Sequence, residues 1–446
     1  MVLLLIYIIF GFAFFANLLV DLKIIPPEVT LSTELSVYLL FCASFFITTR
    51  KRYSFVFDIV YLYIAFVIVA VSSAILNHCL NINLLVGLRP ILRFYVFYIA
   101  LINLHLSDIQ LKKINILIFF LFILQLPASA IRFSYLGISE ETIGTYAGHG
   151  GGLTPIIPIV ALGYLSGFYI FWKPKIIYLI LGVGFVLFGI VGAKRVLFFL
   201  YPAAFMGIYY IGYIKGKNIS PVKFIGVGIF VAVAILSVQL FMMKNISTLN
   251  PEQKNNSGSI DYGYVLSYSQ KYETSSSYYR PNSGAGRIAT TLVAITTVID
   301  AGIGQIIFGF GPGTVLPSLL SADRQVDRRL IPFIASYGKT GFAYILVEYG
   351  VVGLILMSSV FLIFMVRSFR WFNFETVPYW KSLSMGTVIF TVLQTWIFFT
   401  YNRVPVNDDT IVPVYFYAVS LIHYRFNQIQ TIDRVNKIGN KKSIRY

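Results

Sequence analysis

The chain has 446 residues, of which 57% are hydrophobic and 12% charged, and its formal net charge is +17. A soluble domain carries about 25% charged residues, so this composition excludes a soluble globular fold. Apolar stretches of roughly 20 residues, the length that spans the hydrocarbon core as a helix, recur from end to end. The expected fold class is all-α, a polytopic integral membrane protein.

The first stretch, Val2 to Val20, lacks a basic start and a small-residue cleavage site, and it reads as a retained first span rather than a signal peptide. Further spans are expected at 34–49, 54–76, 87–104, 114–131, 153–171, 176–192, 196–214, 224–243, 341–366, 382–400 and 411–424, which makes twelve. With the N-terminus in the cytoplasm, every second connection is cytoplasmic. Those connections hold Arg50-Lys51-Arg52, Lys112-Lys113, Lys173, Lys175, Lys215, Lys217, Lys223, Arg367, Arg370 and Lys381, and the tail from Arg425 is basic too. Lysine and arginine favour the cytoplasmic side of short loops, so charge and hydropathy agree on this orientation, with both termini cytoplasmic. Much of the positive charge is then an orientation signal and an attraction to the anionic lipid of the bilayer, not a nucleic-acid footprint. Cys42 and Cys79 lie in or beside apolar segments and offer neither metal-ligand spacing nor a disulfide framework.

One connection stands out. The chain divides into nine spans over 1–243, a large outer loop over 244–338, three spans over 339–424 and a basic tail over 425–446. A chain that only spans a membrane has no need of so long a loop, whereas chemistry on the outer face would require one. Within it, Asn250 to Ser283 is polar and rich in Tyr, Ser and Asn, and is expected to be irregular. Gly284 to Ile303 reads as a helix, because Ile288, Leu292, Ile295, Val298 and Ile299 recur at helical spacing. Gly309-Phe310-Gly311-Pro312-Gly313-Thr314 is a turn feeding a short apolar segment that ends near Leu320.

Charged groups at outer helix ends are the candidates for chemistry. Arg195 closes the short turn Gly192-Ala193-Lys194-Arg195 between two spans, and a cation held there is costly unless it meets an anion. The turn is too tight for ordinary snorkelling, so Arg195 is expected to face a bundle interior or a cavity. Arg287 follows Ser283-Gly284-Ala285-Gly286 at the start of the expected loop helix, where a guanidinium and free backbone N–H groups together make an anion site. The local pattern at Arg287 fits a solvent-exposed arginine equally well. Arg89 and Arg93, one turn apart around Pro90, fit a phosphate path and headgroup anchoring equally. Lys339 opens the tenth span, and Glu348 lies about two and a half turns inside it, where pairing with a neighbouring arginine is the first expectation. His149, in a Gly-rich outer loop, has the right chemistry for a base at neutral pH. Asp408-Asp409, without further ligands, is weak evidence for a metal. No Gly-rich phosphate loop with lysine is present, which argues against a nucleotide-driven engine.

Four pieces occur in a suggestive order: Gly192-Ala193-Lys194-Arg195 at a span junction, Ser283-Gly284-Ala285-Gly286-Arg287 after a long outer loop, Phe308-Gly309-Phe310-Gly311-Pro312-Gly313-Thr314, and a span opening Lys339-Thr340-Gly341 and continuing to Val347-Glu348-Tyr349-Gly350. In this the chain resembles the bacterial O-antigen polymerase and O-antigen ligase superfamily (Wzy-like and WaaL-like), whose members have about a dozen spans, a large periplasmic loop and a GT-C-type fold. The resemblance implies a metal-independent, cofactor-free glycosyltransferase of the inner membrane. Its donor would be an oligosaccharide on undecaprenyl diphosphate, and a chain-length regulator protein is an implied partner. Arg195 and Arg287 would bind the diphosphate and neutralise charge as it leaves. Arg89, Arg93, Arg280, Tyr337 and His149 are the further substrate-binding candidates, with loop tyrosines stacking on sugars.

One departure separates the two branches. Ligases place a histidine where this chain has Lys339, and lysine is a poor base unless its pKa is strongly lowered. That favours the polymerase and leaves the base open among Lys339, Tyr337, Glu348 and His149. The alternatives are the ligase, which moves finished glycan onto lipid A core, and a flippase for the same lipid-linked unit. Transporters of that kind show two matching halves, and no such symmetry is legible here.

Overall fold

The computed structural model describes residues 2–47, 57–78, 82–139, 142–145, 152–215, 221–254, 257–274, 286–315, 327–336 and 338–426. Among these residues the structure is helical and contains no strand. All twelve apolar segments expected from the sequence fall on helices. They are α1 (Val2–Asp21), α2 (Leu31–Ile47), α3 (Phe57–Leu76), α4 (Ile82–Asn103), α5 (Asp108–Leu136), α6 (Ile156–Gly167), α7 (Ile176–Val191), α8 (Leu197–Tyr209) and α9 (Pro221–Asn245) before the large loop. The loop carries α10 (Tyr262–Thr274), α11 (Arg287–Asp300), α12 (Ile303–Phe308) and α13 (Ile331–Ala335). After it come α14 (Gly341–Phe374), α15 (Pro378–Thr400), the short α16 (Val404–Asn407) and a last helix, α17, over 411–426.

By length and composition, α1, α3, α5, α9, α14 and α15 are able to cross a membrane, and α2, α6, α7 and α8 are shorter apolar helices. The chain is a helical membrane protein. Burial ranks these helices. α15 packs against both α14 and α6, and 78% of its most apolar stretch is inside the protein, against 6% for α9. α9 instead turns Ile225, Ile229, Phe230, Val233 and Leu236 outward. In water that apolar stripe would be a liability, and in lipid it is the expected exterior.

Local chemistry sets the helix ends. Ser107 caps α5, its hydroxyl accepting from Gln110 N–H while the Gln110 side chain accepts from Ser107 N–H, so two otherwise orphaned donors are satisfied. Thr340 caps α14 by accepting from the Ala343 N–H at 3.1 Å. The reading of Asn250 to Ser283 as irregular needs correction, because α10 lies inside it. Asp261 caps that helix by accepting from Tyr264 N–H at 2.9 Å, Val265 is fully buried, and Tyr264 stacks on Tyr268 one turn on. These three contacts outweigh a polar composition that carries little helical periodicity.

The large loop is fastened to the helix bundle at a break in α14. Gly350 sits at φ 68°, interrupting the helical dihedrals. The break frees the carbonyls of Val347 and Glu348, and the turn after α12 fills them: Phe310 N–H donates to Val347 O at 2.8 Å and Gly311 N–H to Glu348 O at 3.1 Å. The Glu348 carboxylate, fully buried, then accepts from Gly313 N–H and Val315 N–H, each at 2.9 Å, and from the Tyr344 hydroxyl at 3.0 Å. Among the described residues Glu348 therefore meets backbone amides and a tyrosine, where the sequence led us to expect a neighbouring arginine. Gly309, at φ +74°, lies so close to Gly350 N and the Glu348 carbonyl carbon that a Cβ would sit 2.5 to 2.6 Å from them.

Glu348→Ala strands three buried donors and is expected to cost about 3 kcal/mol or more, at about 1–3 kcal/mol per unsatisfied group. Glu348→Gln keeps one acceptor and costs less. Thermal unfolding of the detergent-solubilised protein measures both, and an alanine variant as stable as the parent would overturn this account of the clamp.

Candidate functional site

Arg195 and Arg287 line one cavity of about 240 Å³. The turn that carries Arg195 joins α7 to α8, and Ala193 takes φ 52° to make it that tight. Its guanidinium lies over the rings of Tyr272 (3.9 Å to the centroid) and Tyr268 (5.0 Å), both on α10. Those rings attract the cation, and no carboxylate pairs with it among the described residues. Arg195 Nη1 is buried and has no hydrogen-bond partner among the described residues. A buried donor left unmet in this way costs free energy unless something from outside the chain satisfies it.

Arg287 is the first residue of α11. Its Nε donates to the Tyr401 carbonyl at 2.8 Å, and its guanidinium lies 4.2 Å from the Tyr401 ring centroid. On its other side Glu273, near the end of α10, takes Nη1 in an ion pair and accepts the Arg287 backbone N–H at 3.1 Å. Gly286 makes this approach possible. A Cβ there would fall 2.2 Å from the Tyr272 carbonyl oxygen and 2.4 Å from that of Glu273. Gly338 backs the same segment, with room for a Cβ only 2.8 Å from Arg287 N. Gly286, the last residue of the Gly-rich run before Arg287, thus serves backbone contact.

Lys194, Arg195 and Arg287 all line the cavity, and Glu273 is the one acidic group among the residues that do so. The cavity is therefore cationic, which suits an anionic ligand. Lys339 is not among the residues that line it. Its Nζ donates to the Ile334 carbonyl at 2.7 Å. Burial and then the neighbouring Arg403 charge push its pKa down from 10.5 to about 8. Desolvation disfavours the ammonium form, and a second cation nearby does the same.

The other sequence candidates part company with this site. Arg89 and Arg93 do not line the cavity. Arg89 Nε donates to both Glu34 oxygens, at 2.7 and 2.9 Å, and Arg93, only 6% exposed, pairs with Glu34 and with Asp409. This network ties α2 and α4 to the segment before α17. Asp408 accepts from Thr410 N–H and Ile411 N–H, a helix cap rather than a ligand position. Glu348 is likewise absent from the cavity lining, being committed to the clamp. Arg280, Tyr337 and His149 lie outside the described residues.

Four contributors went unnoticed in the sequence: Tyr268, Tyr272, Glu273 and Tyr401. The first three belong to the segment read as irregular, where helical register was the missing signal. Tyr401 acts through its carbonyl and ring face from a different part of the chain. Compared with known proteins, the chain matches no family model and no curated protein.

Tyr272→Ala removes the closer ring from Arg195 and is expected to destabilise the protein by ~1 kcal/mol, the scale of one cation–π contact. Thermal unfolding of the detergent-solubilised protein reads this directly, and an unchanged midpoint would remove the ring as a support for Arg195.

Proposed function

We propose that the chain is a glycosyltransferase of the bacterial inner membrane, with twelve spans and a GT-C-like fold. It would join undecaprenyl-diphosphate-linked repeat units into O-antigen or a related surface polysaccharide at the periplasmic face. The observation that carries this reading is the convergence of Arg195 and Arg287 on one cationic cavity, from positions far apart in sequence. A site made to hold a diphosphate needs that arrangement. The resemblance of four sequence pieces, in order, to the polymerase and ligase superfamily suggests the reaction class.

In the proposed reaction an acceptor-sugar hydroxyl attacks the anomeric carbon, and the bond from that carbon to the diphosphate oxygen breaks. The electron pair leaves with the diphosphate. Charge grows on the leaving group in the transition state, and guanidinium groups already in position stabilise it without reorganising. Tyr272 and Tyr401 keep the two guanidinium planes in place. The hydroxyl proton passes to a base, and Lys339 is the described residue best prepared for it. A neutral lysine that donates to Ile334 O keeps a lone pair, and a pKa of about 8 leaves roughly a tenth of the amine neutral at pH 7, against far less for an ordinary lysine.

Arg195→Ala and Arg287→Ala are expected to abolish long glycan chains while the protein still inserts in the membrane. Lysine at either position restores only short chains, since a point charge replaces a bidentate fork. Gel ladders of surface polysaccharide from complemented deletion cells give the readout. Normal ladders in both alanine variants would refute the diphosphate assignment. The deletion strain also separates the alternatives: single repeat units on core indicate a lost polymerase, absence of any glycan on core a lost ligase, and absence of any exported unit a lost flippase.

The amine accepts a proton only when neutral, so the rate of chain growth in vitro should rise with pH up to about 8 and level off above it. Lys339→Met is expected to lower the rate and to erase that limb. A pH profile unchanged in the variant would assign the base elsewhere.

A further inference from the structure

Glu273 is difficult to explain as a mere scaffold for Arg287. The Arg287 guanidinium is already fixed by the Tyr401 carbonyl and ring on one side. Glu273 engages it from the other side, and does so through the two groups an incoming anion would use, Nη1 and the first backbone N–H of α11. Both side chains retain solvent access, with Arg287 24% and Glu273 29% exposed. Arg195, in the same cavity, has its buried Nη1 unmatched by any acceptor among the described residues. One cation of the pair is thus screened by an internal carboxylate and the other is not.

Resting on the functional reading above, we infer that Glu273 is a specificity residue: it holds the Arg287 anion position against singly charged phosphodiesters, and only a group with a second negative charge, a diphosphate, displaces it. The carboxylate is tethered, so it competes at a high effective concentration with any anion from solution or lipid. A single phosphodiester gains Arg195 alone, or contests Arg287 on equal charge. A diphosphate gains both arginines at once, one phosphate to each, and its second charge offsets the ion pair it breaks. Such a filter has a physical purpose. Arg195 lies in the turn between two apolar helices, α7 and α8, and an arginine at the end of an apolar helix reaches for lipid phosphate, so an unscreened arginine pair would bind phospholipid headgroups.

The full-length, detergent-solubilised protein tests this with two short-chain probes in metal-free buffer: geranyl diphosphate, and dioctanoyl phosphatidylglycerol, whose headgroup is a single phosphodiester. The parent protein is expected to prefer the diphosphate at least tenfold. E273Q removes the charge but keeps the shape, and is expected to cut that preference roughly tenfold, chiefly by tighter binding of phosphatidylglycerol, the scale of one charge-assisted hydrogen bond. E273A should act in the same direction, and matched thermal unfolding confirms that the variants are folded. An unchanged ratio in both variants overturns the inference. So does weaker diphosphate binding in E273Q, which would make the residue a positioning group for Arg287. If the diphosphate binds independently of Arg195 and Arg287, the functional reading falls as well. If binding depends on both arginines and the ratio stays constant, the inference alone falls.

Discussion

A single buried carboxylate organises the junction between bundle and loop. Glu348 sits where α14 is broken at Gly350, and its side chain and main chain together accept the turn that follows α12. Burying a carboxylate is expensive unless several donors meet it. Here two amides and a phenol do so, and the break in the helix supplies carbonyls for two more amides. The arrangement is mutual. Without the turn, α14 would have unpaired carbonyls in an apolar bundle, and without the break the turn would have no acceptors.

From that anchor the cavity follows. α11 and α12 both pack on α14, so fixing the turn after α12 also fixes where α11 begins. Its first residue is Arg287, and the close backbone approach allowed at Gly286 brings the end of α10 against it. α10 then carries Tyr268 and Tyr272 over Arg195 at the α7–α8 turn. The charge pattern that results is uneven. The Glu34–Arg89–Arg93–Asp409 network neutralises its cations internally and joins helices, whereas the cavity keeps an excess of cations over its one acid. An excess of cations in a cavity suits an anionic ligand, whereas cations paired within the protein have less need of one. This contrast separates two arginine pairs that look alike as sequence.

Much of the architecture was legible beforehand because lipid imposes a simple rule: every backbone polar group must be paired within the segment, so apolar stretches become helices. Hydropathy alone therefore located α1 to α9, α14, α15 and α17, and helical spacing located α11. Tightness of the 192–195 turn and the Gly-rich run before residue 287 singled out Arg195 and Arg287 as cations needing explanation. α10 was missed because its stability comes from an aspartate cap, one buried valine and a tyrosine stack rather than from an apolar stripe.

By itself, then, the sequence determined that this is a helical membrane protein and where its apolar helices lie, and it offered Arg195 and Arg287 at helix ends as candidates. Those properties depend on local composition and spacing, which a linear chain displays. Only the tertiary structure decided that Arg195 and Arg287 share a cavity, that Glu273 and Tyr401 flank Arg287, and that Arg93 is spent on Glu34 and Asp409. Each of these depends on how separate helices and turns pack together, and most join segments distant in sequence. Whether an arginine is neutralised depends on what packs against it, and nothing in its immediate neighbours records that.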